Sequence, residues 1–369
     1  MKPIALLGAS GFVGVRLVEL RHLGGGAPVR PIFYRPSSLA PLARFQLDGR
    51  MADYTDAGAL AKAIEGCDTL VHLATGDPKV ILSLLEPVYE AAARAKIKRI
   101  VFMSSAAVHG QTPAPGTNEA TPLAHRHQLP YNAAKAQAEK RLRECRARGK
   151  VELVILRPGI VWGPRSRWVT DNFRAMGAGT FGWLDGGRGV INPIYVDNLV
   201  HAIDLACTAT VDGQTFLLND PAPANWREFY TPWLNACGLT PDGVPEAPPF
   251  LPARGLRAQF ERFRIHPATQ RLAPNIPGGF KRAVKSLLGA RPAQGAPDPL
   301  ANLNFRPTGS AQLSEEMTLL ERCAWRFPTD AAHTRLGWQP AVDWPTAVER
   351  TLGWLKFADL LPTEDSSAS

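Results

Sequence analysis

Short apolar runs alternate with amphipathic stretches along the first 220 residues. A short continuous apolar run reads as a strand buried on both faces, and apolar spacing of three and four reads as helix. Strands are thereby predicted at Ile4–Leu7, Val29–Tyr34, Thr69–Leu73, Ile100–Ser104 and Val151–Leu156. Helices are predicted after the first strand to about Leu23, and at Ala57–Glu65, Val80–Ala95 and Tyr131–Arg148. Ile191–Val196 and Asp197–Cys207 extend the alternation, and Thr215–Leu218 supplies a last strand. Strand–helix alternation implies right-handed crossovers and a parallel sheet covered on both faces. After about Ala222 the pattern changes. Trp226–Cys237 and Asp343–Phe357 read as helices, while Pro241–Ser310 is irregular, proline-rich and basic.

The first strand runs into Gly8-Ala9-Ser10-Gly11-Phe12-Val13-Gly14, a G-x-x-G-x-x-G turn opening a helix. Such a turn lets backbone amides and the positive end of a helix meet a pyrophosphate. The expected fold is therefore α/β, a Rossmann-type doubly wound parallel sheet with a smaller, mostly helical C-terminal substrate lobe. Residues 1–159 and 191–221 form the dinucleotide domain. Residues 160–190 and 222–369 form the lobe, with an irregular basic insertion at about 241–310.

Two further patterns carry chemistry. Tyr131-x-x-x-Lys135 lies on a predicted helix, so both side chains share a face. A nearby ammonium stabilises a phenolate and makes tyrosine usable as a general acid/base. The strand Ile100–Ser104 ends in Ser104-Ser105 at the sheet edge where ligands of parallel sheets bind. A serine there can steady a substrate oxygen.

In this order the motifs resemble the extended short-chain dehydrogenase/reductase family, also called the NAD-dependent epimerase/dehydratase family. Asp53 in Ala52–Asp56, His72-Leu73-Ala74-Thr75, Asn118-Glu119-x-x-Pro122, Leu156–Pro164, Tyr195–Asn198 and Leu336–Pro340 followed by Trp354 are similar to that family's other blocks. The resemblance implies Ser105, Tyr131 and Lys135 as the catalytic set. Ser105 is preferred to Ser104 because it directly precedes Ala106–Gly110, which resembles the family's A-x-V-Y-G. It also implies a dinucleotide held by Gly8, Ser10, Gly11, Phe12, Val13, Gly14, Tyr34, Arg35, Asp53, Tyr54, Leu73, Ala74, Thr75, Met103, Ser104, Tyr131, Lys135, Arg157, Pro158, Gly159 and Ile160. The activity implied is NAD(P)-dependent hydride transfer at a secondary alcohol or ketone. The alternatives are an NAD-dependent (nucleotide-)sugar epimerase and a non-catalytic NADP(H)-binding sensor. Dehydratase chemistry is disfavoured, because Ala106 and Ala107 stand where those members carry an acid pair. Where NAD-preferring members place an acid after the second strand, this chain has Tyr34-Arg35. A guanidinium suits a 2′-phosphate, so NADP(H) is favoured over NAD(H).

Charge changes the picture in one place. The formal net charge is +9, yet nine basic residues between Phe250 and Arg291 face Glu261 alone, giving that segment +8. Phe280, Val284, Leu287 and Leu288 line one face of a helix flanked by Lys281, Arg282 and Lys285. This is read as a surface helix docked on its own domain, with peripheral membrane contact through 280–291, or capping of the pocket of an anionic substrate, as the alternatives. Nothing resembles a nucleic-acid recognition motif. Five cysteines without C-x-x-C spacing, no metal-ligand cluster and no leader-like start suggest a reduced, cytoplasmic protein acting on a small molecule. The resemblance also implies a homodimer built partly on the Tyr131 helix.

Overall fold

The computed structural model describes residues 2–124, 127–251, 311 and 313–361. The helix predicted over 280–291 and most of the basic insertion lie outside these residues.

Seven parallel strands form the main sheet: β1 (Ile4–Leu7), β2 (Val29–Phe33), β3 (Arg50–Met51), β4 (Thr69–His72), β5 (Arg99–Met103), β6 (Glu152–Pro158) and β9 (Thr215–Leu218). Their order is β3-β2-β1-β4-β5-β6-β9. β1 pairs with β2 on one side (Ile4 opposite Val29) and with β4 on the other (Leu7 opposite His72). The strand order reverses there, and a crevice opens at the carboxyl ends.

Both faces of β1 are apolar because both are covered. Ile4 and Leu6 join a core with α1 (Phe12–Gly24) and α7 (Val196–Thr208). Ala5 and Leu7 join the opposite core with α2 (Ala57–Ile64), α3 (Pro78–Ser83), α4 (Leu85–Arg94) and α5 (Pro130–Arg148). Trp338 closes the first core, fully buried, its indole donating to the Asn198 carbonyl at 2.9 Å. Trp338→Ala is expected to cost about 3–5 kcal/mol, measured by denaturant unfolding.

Three expectations are corrected. Val80–Ala95 is not one helix but two, α3 and α4. Pro87 has no amide to donate to the carbonyl four residues back, so it is accommodated only in the first turn of a new helix. The Ile191–Val196 run does not extend the main sheet. Its strand β8 (Pro193–Tyr195) pairs with β7 (Ile160–Trp162) in a separate two-stranded sheet. The backbone changes partner within one residue: Gly159 donates to Leu218, Ile160 to Asn192. The short strand β3 is also absent from the predicted set, because two residues carry no periodicity.

The second lobe packs around aromatic rings. α6 (Arg167–Gly177), α8 (Trp226–Ala236), α9 (Glu315–Glu321) and α10 (Trp344–Phe357) gather about Trp162. The Trp162 ring meets Phe229 edge-on at 5.5 Å and lies 4.9 Å from Trp344. No helix among the described residues is long and apolar enough to cross a membrane.

Candidate active site

A cavity of about 580 Å³ opens at the carboxyl ends of the strands, between the sheet and the second lobe. One wall is the glycine turn. Gly8 has φ +81°, which a side chain would strain, and a Cβ there would meet the Ala74 amide nitrogen at 2.7 Å. Gly11 caps α1 with no side-chain hydrogen bond, and α1 has no acid in its first turn. Its first-turn residues Phe12, Val13 and Gly14 line the cavity. Uncapped amides with no competing carboxylate make an anion site, so these residues fit a dinucleotide pyrophosphate.

The floor comes from β5 and α5. Ser105 follows β5 by two residues and N-caps a short 3-10 turn, its Oγ accepting from the Ala107 amide at 3.2 Å. Pro130 at the first position of α5 fixes where that helix begins, which points Tyr131 and Lys135 into the same cavity. Tyr131 keeps 38 % of its surface exposed. Burial of its hydroxyl raises the phenol, and the hydroxyls of Thr75 and Ser105 pull it back down. Lys135 is almost wholly buried, donating from Nζ to the Met103 carbonyl at 2.8 Å. Burial pushes its ammonium down to about 8, and Glu139 works against that shift. Sequence reasoning expected Lys135 to lower the tyrosine; here burial, with Glu316 adding to it, leaves the phenol above its usual value, and Thr75 and Ser105 oppose that shift.

Both adjacent serines line the cavity, but Ser105 is partly exposed there, while Ser104 is buried and its hydroxyl donates inward to Glu139 Oε1 at 2.6 Å. Arg157, expected to hold cofactor, is corrected: it is buried and absent from the cavity wall. Its guanidinium pairs with Glu139 at 2.7 Å and touches His109 Nε2 at 3.0 Å. A lone buried carboxylate would be strongly disfavoured, so Glu139 draws the arginine inward. Burial, then Arg157, lowers His109 to about 4, leaving a neutral ring that packs rather than titrates near neutrality.

Leu73, Thr75, Met103, Pro158, Gly159 and Ile160 also line the cavity. Ser10 is exposed and lies off its wall. Asp53 lies outside it, its carboxylate accepting from the Thr55 amide and hydroxyl. The Tyr54 hydroxyl donates to the Ile32 carbonyl, and its ring stands 6.3 Å from Tyr34. Tyr34 is 52 % exposed at the end of β2, with the Arg35 guanidinium 5.4 Å from its ring.

Sequence reasoning missed the far end of the cavity. Trp168 of α6, Trp226 of α8, Leu320 of α9 and Phe327 line it together, with Ala106, Pro113, Val190 and Ile191. Glu316, accepting from Gln111 at 3.3 Å, is the one acid on this wall among the described residues. Arg165 and Arg167 stand at the rim with partners already, Glu19 and Asp171. These side chains are scattered over half the chain, so no local spacing reveals them. Among the described residues no cluster could hold a metal.

A profile of the NAD dependent epimerase/dehydratase family matches residues 4–218. The chain is 30% identical over 259 residues to a Mycobacterium tuberculosis protein, 3 beta-hydroxysteroid dehydrogenase/Delta 5-->4-isomerase, covering 64% of this chain and 69% of that one. It is 27% identical over 243 residues to a Stigmatella aurantiaca ketoreductase of 4-hydroxy-2-methyl-3-oxo-4-farnesyl-3,4-dihydroquinoline-1-oxide, covering 63% and 72%. In structure it is similar to the UDP-glucose 4-epimerase of Thermotoga maritima solved with UDP-glucose, with TM-score 0.64, 16% identity and coverage of 96% and 99%. It is also similar to the Bordetella bronchiseptica enzyme WbmG in complex with NAD, with TM-score 0.63, 17% identity and coverage of 98% and 96%.

Proposed function

Because the chain belongs to the NAD dependent epimerase/dehydratase family, we propose that it is an NAD(P)-dependent oxidoreductase. It moves hydride at a carbon bearing a secondary alcohol or ketone, on a substrate with a bulky apolar skeleton. The observation that carries this reading is one cavity joining three things: the glycine turn, the Ser105–Tyr131–Lys135 floor, and an aromatic wall of Trp168, Trp226 and Phe327. Apolar walls with few convergent polar groups select apolar ligands held by one reactive oxygen.

A dinucleotide held by its pyrophosphate at the glycine turn would supply the hydride chemistry through its nicotinamide. The protein residues do the rest. Ser105 donates to the substrate oxygen and fixes its distance from Tyr131. The Tyr131 hydroxyl gives its proton to that oxygen in reduction and takes it back in oxidation. Lys135 would bind the nicotinamide ribose and supply positive charge beneath the site.

A nucleotide-sugar epimerase reading would draw on Arg165 and Arg167 at the rim, but both are already paired. The steroid and quinoline relatives agree better with the aromatic wall. The test is a panel of bulky alicyclic ketones with NADPH or NADH, and of UDP-sugars with NAD+. Net loss of reduced-nucleotide absorbance with the ketones supports the proposal. Sugar epimerisation without net redox overturns it.

The cofactor reading is NADP(H), from Tyr34-Arg35 and the lack of a carboxylate after β2. A charge-assisted contact contributes about 1.5–3 kcal/mol. Arg35→Ala is therefore expected to weaken NADPH binding about 10- to 100-fold and to leave NADH binding nearly unchanged, read by nucleotide fluorescence.

A further inference from the structure

Behind the catalytic floor lies an ionic cluster that takes no part in lining the cavity. Glu139 is fully buried, four residues beyond Lys135 and so one turn along α5. Its carboxylate receives Arg157 Nε at 2.9 Å and Nη2 at 2.7 Å, and the Ser104 hydroxyl at 2.6 Å, and Arg143 of the next turn stands 3.9 Å from it. Arg157 reaches on to the Glu119 carbonyl at 3.4 Å, and the Glu119 side chain accepts from the Leu217 amide of β9. One carboxylate thus ties α5 to β6 and to the end of β5.

Stability alone does not account for this pair. Taking both charges out of water offsets much of their attraction, and an apolar pair of similar size packs as well. The pair as a whole is neutral; what an apolar pair lacks is the carboxylate that the ion pair fixes one turn along α5 from Lys135. The group beside it that needs a negative charge is Lys135, 2 % exposed. Facing that ammonium are the Met103 carbonyl, the Phe102 ring at 5.1 Å and the Tyr131 ring at 5.8 Å. From β4 comes His72, whose ring nitrogens have no partner and which burial, then Lys135, holds down to about 3. All of these are neutral, so the charge that supports Lys135 comes from its own helix.

We propose that Glu139 is a positioning residue: clamped by Arg157 and Ser104, it is the fixed counter-charge of Lys135 and holds the Tyr131–Lys135 helix in register with the Ser104–Ser105 strand end. It acts through Lys135, and so rests on the reading of Lys135 as the ribose-binding cation.

The experiment measures NADPH affinity by nucleotide fluorescence, and kcat/KM, across pH on the full chain. The sign follows from the lysine: its ammonium is lost as pH rises through its folded value, so affinity falls on the alkaline side. Lys135→Met identifies that limb by removing it. A limb that survives Lys135→Met shows that the reading of Lys135 is wrong, and the Glu139 proposal falls with it. With the limb assigned, Glu139→Gln is expected to move it down by about one pH unit, a loss of about tenfold at a fixed alkaline pH. Glu139→Gln also strands Arg157, so the paired variant Glu139→Gln/Arg157→Met separates fold from charge. A native melting temperature with a displaced limb supports the proposal. A native melting temperature with a native limb overturns it. Should neither chain fold, Glu139→Asp decides, since it keeps the charge but draws it back. A native limb and native turnover overturn the proposal there too, and a displaced limb supports it.

Discussion

Tyr131→Phe is expected to lower kcat/KM by about 10²–10⁴-fold while NADPH binding stays within about twofold of the native chain. The phenyl ring keeps the contacts of the tyrosine with α5 and Lys135, so the helix and the cavity are retained. What is lost is the hydroxyl that Thr75 and Ser105 flank. Without it the substrate oxygen has a hydrogen bond from Ser105 but no proton partner, and hydride transfer would have to leave an alkoxide. Two measurements check this together: turnover on a bulky ketone, and nucleotide fluorescence on binding. Full turnover in Tyr131→Phe would overturn the mechanism. A native chain that binds NADPH but turns over no carbonyl would instead favour the sensor reading. Ser105→Ala keeps the acid/base and is expected to lose less than Tyr131→Phe on the same ketone.

The sheet was legible because its strands are buried on both faces. Ile4–Leu7 is apolar at every position since Ile4 and Leu6 meet α1 and α7 while Ala5 and Leu7 meet α2 to α5. That pattern needs no tertiary knowledge. The glycine turn and the Tyr131–Lys135 pair were legible for the same reason: each is a local spacing fixed by the backbone of one turn or one helix. Arg157 shows the limit. Its neighbours Pro158 and Gly159 line the cavity, but along a strand alternate side chains face opposite ways, and only Glu139 on another element decides where the guanidinium goes. The break within Val80–Ala95 was written in Pro87, and reading the apolar spacing alone passed over it. The aromatic substrate wall could not be read at all. Trp168, Trp226, Leu320 and Phe327 converge only because β7 and β8 leave the main sheet and carry the second lobe over the crevice. The apolar count of that lobe says it has a core, not which rings face the ligand.

Gly14→Ala is expected to weaken NADPH binding by more than about 100-fold and to lower the melting temperature. A Cβ at Gly14 would stand 2.3 Å from the Gly8 carbonyl oxygen and 2.8 Å from the Ala9 Cα. Both are backbone atoms of the same turn, so no side-chain rotation relieves the overlap. The relief available is to push α1 away from the end of β1. That shift would break the bond from the Gly11 amide to the Gly8 carbonyl, now 3.1 Å, and would swing the first-turn amides off the crevice. The amides bind an anion only while they converge, so affinity falls more steeply than stability. Gly24, the last residue of the same helix, provides the control: a Cβ there meets nothing within 4 Å. Gly24→Ala exchanges the same atoms and is expected to leave NADPH binding unchanged, with stability equal or slightly higher from the better helix former. The contrast between the two is the measurement. Equal NADPH affinity in both variants would mean that the turn at Gly8, Gly11 and Gly14 packs a helix against a strand and does not hold the pyrophosphate.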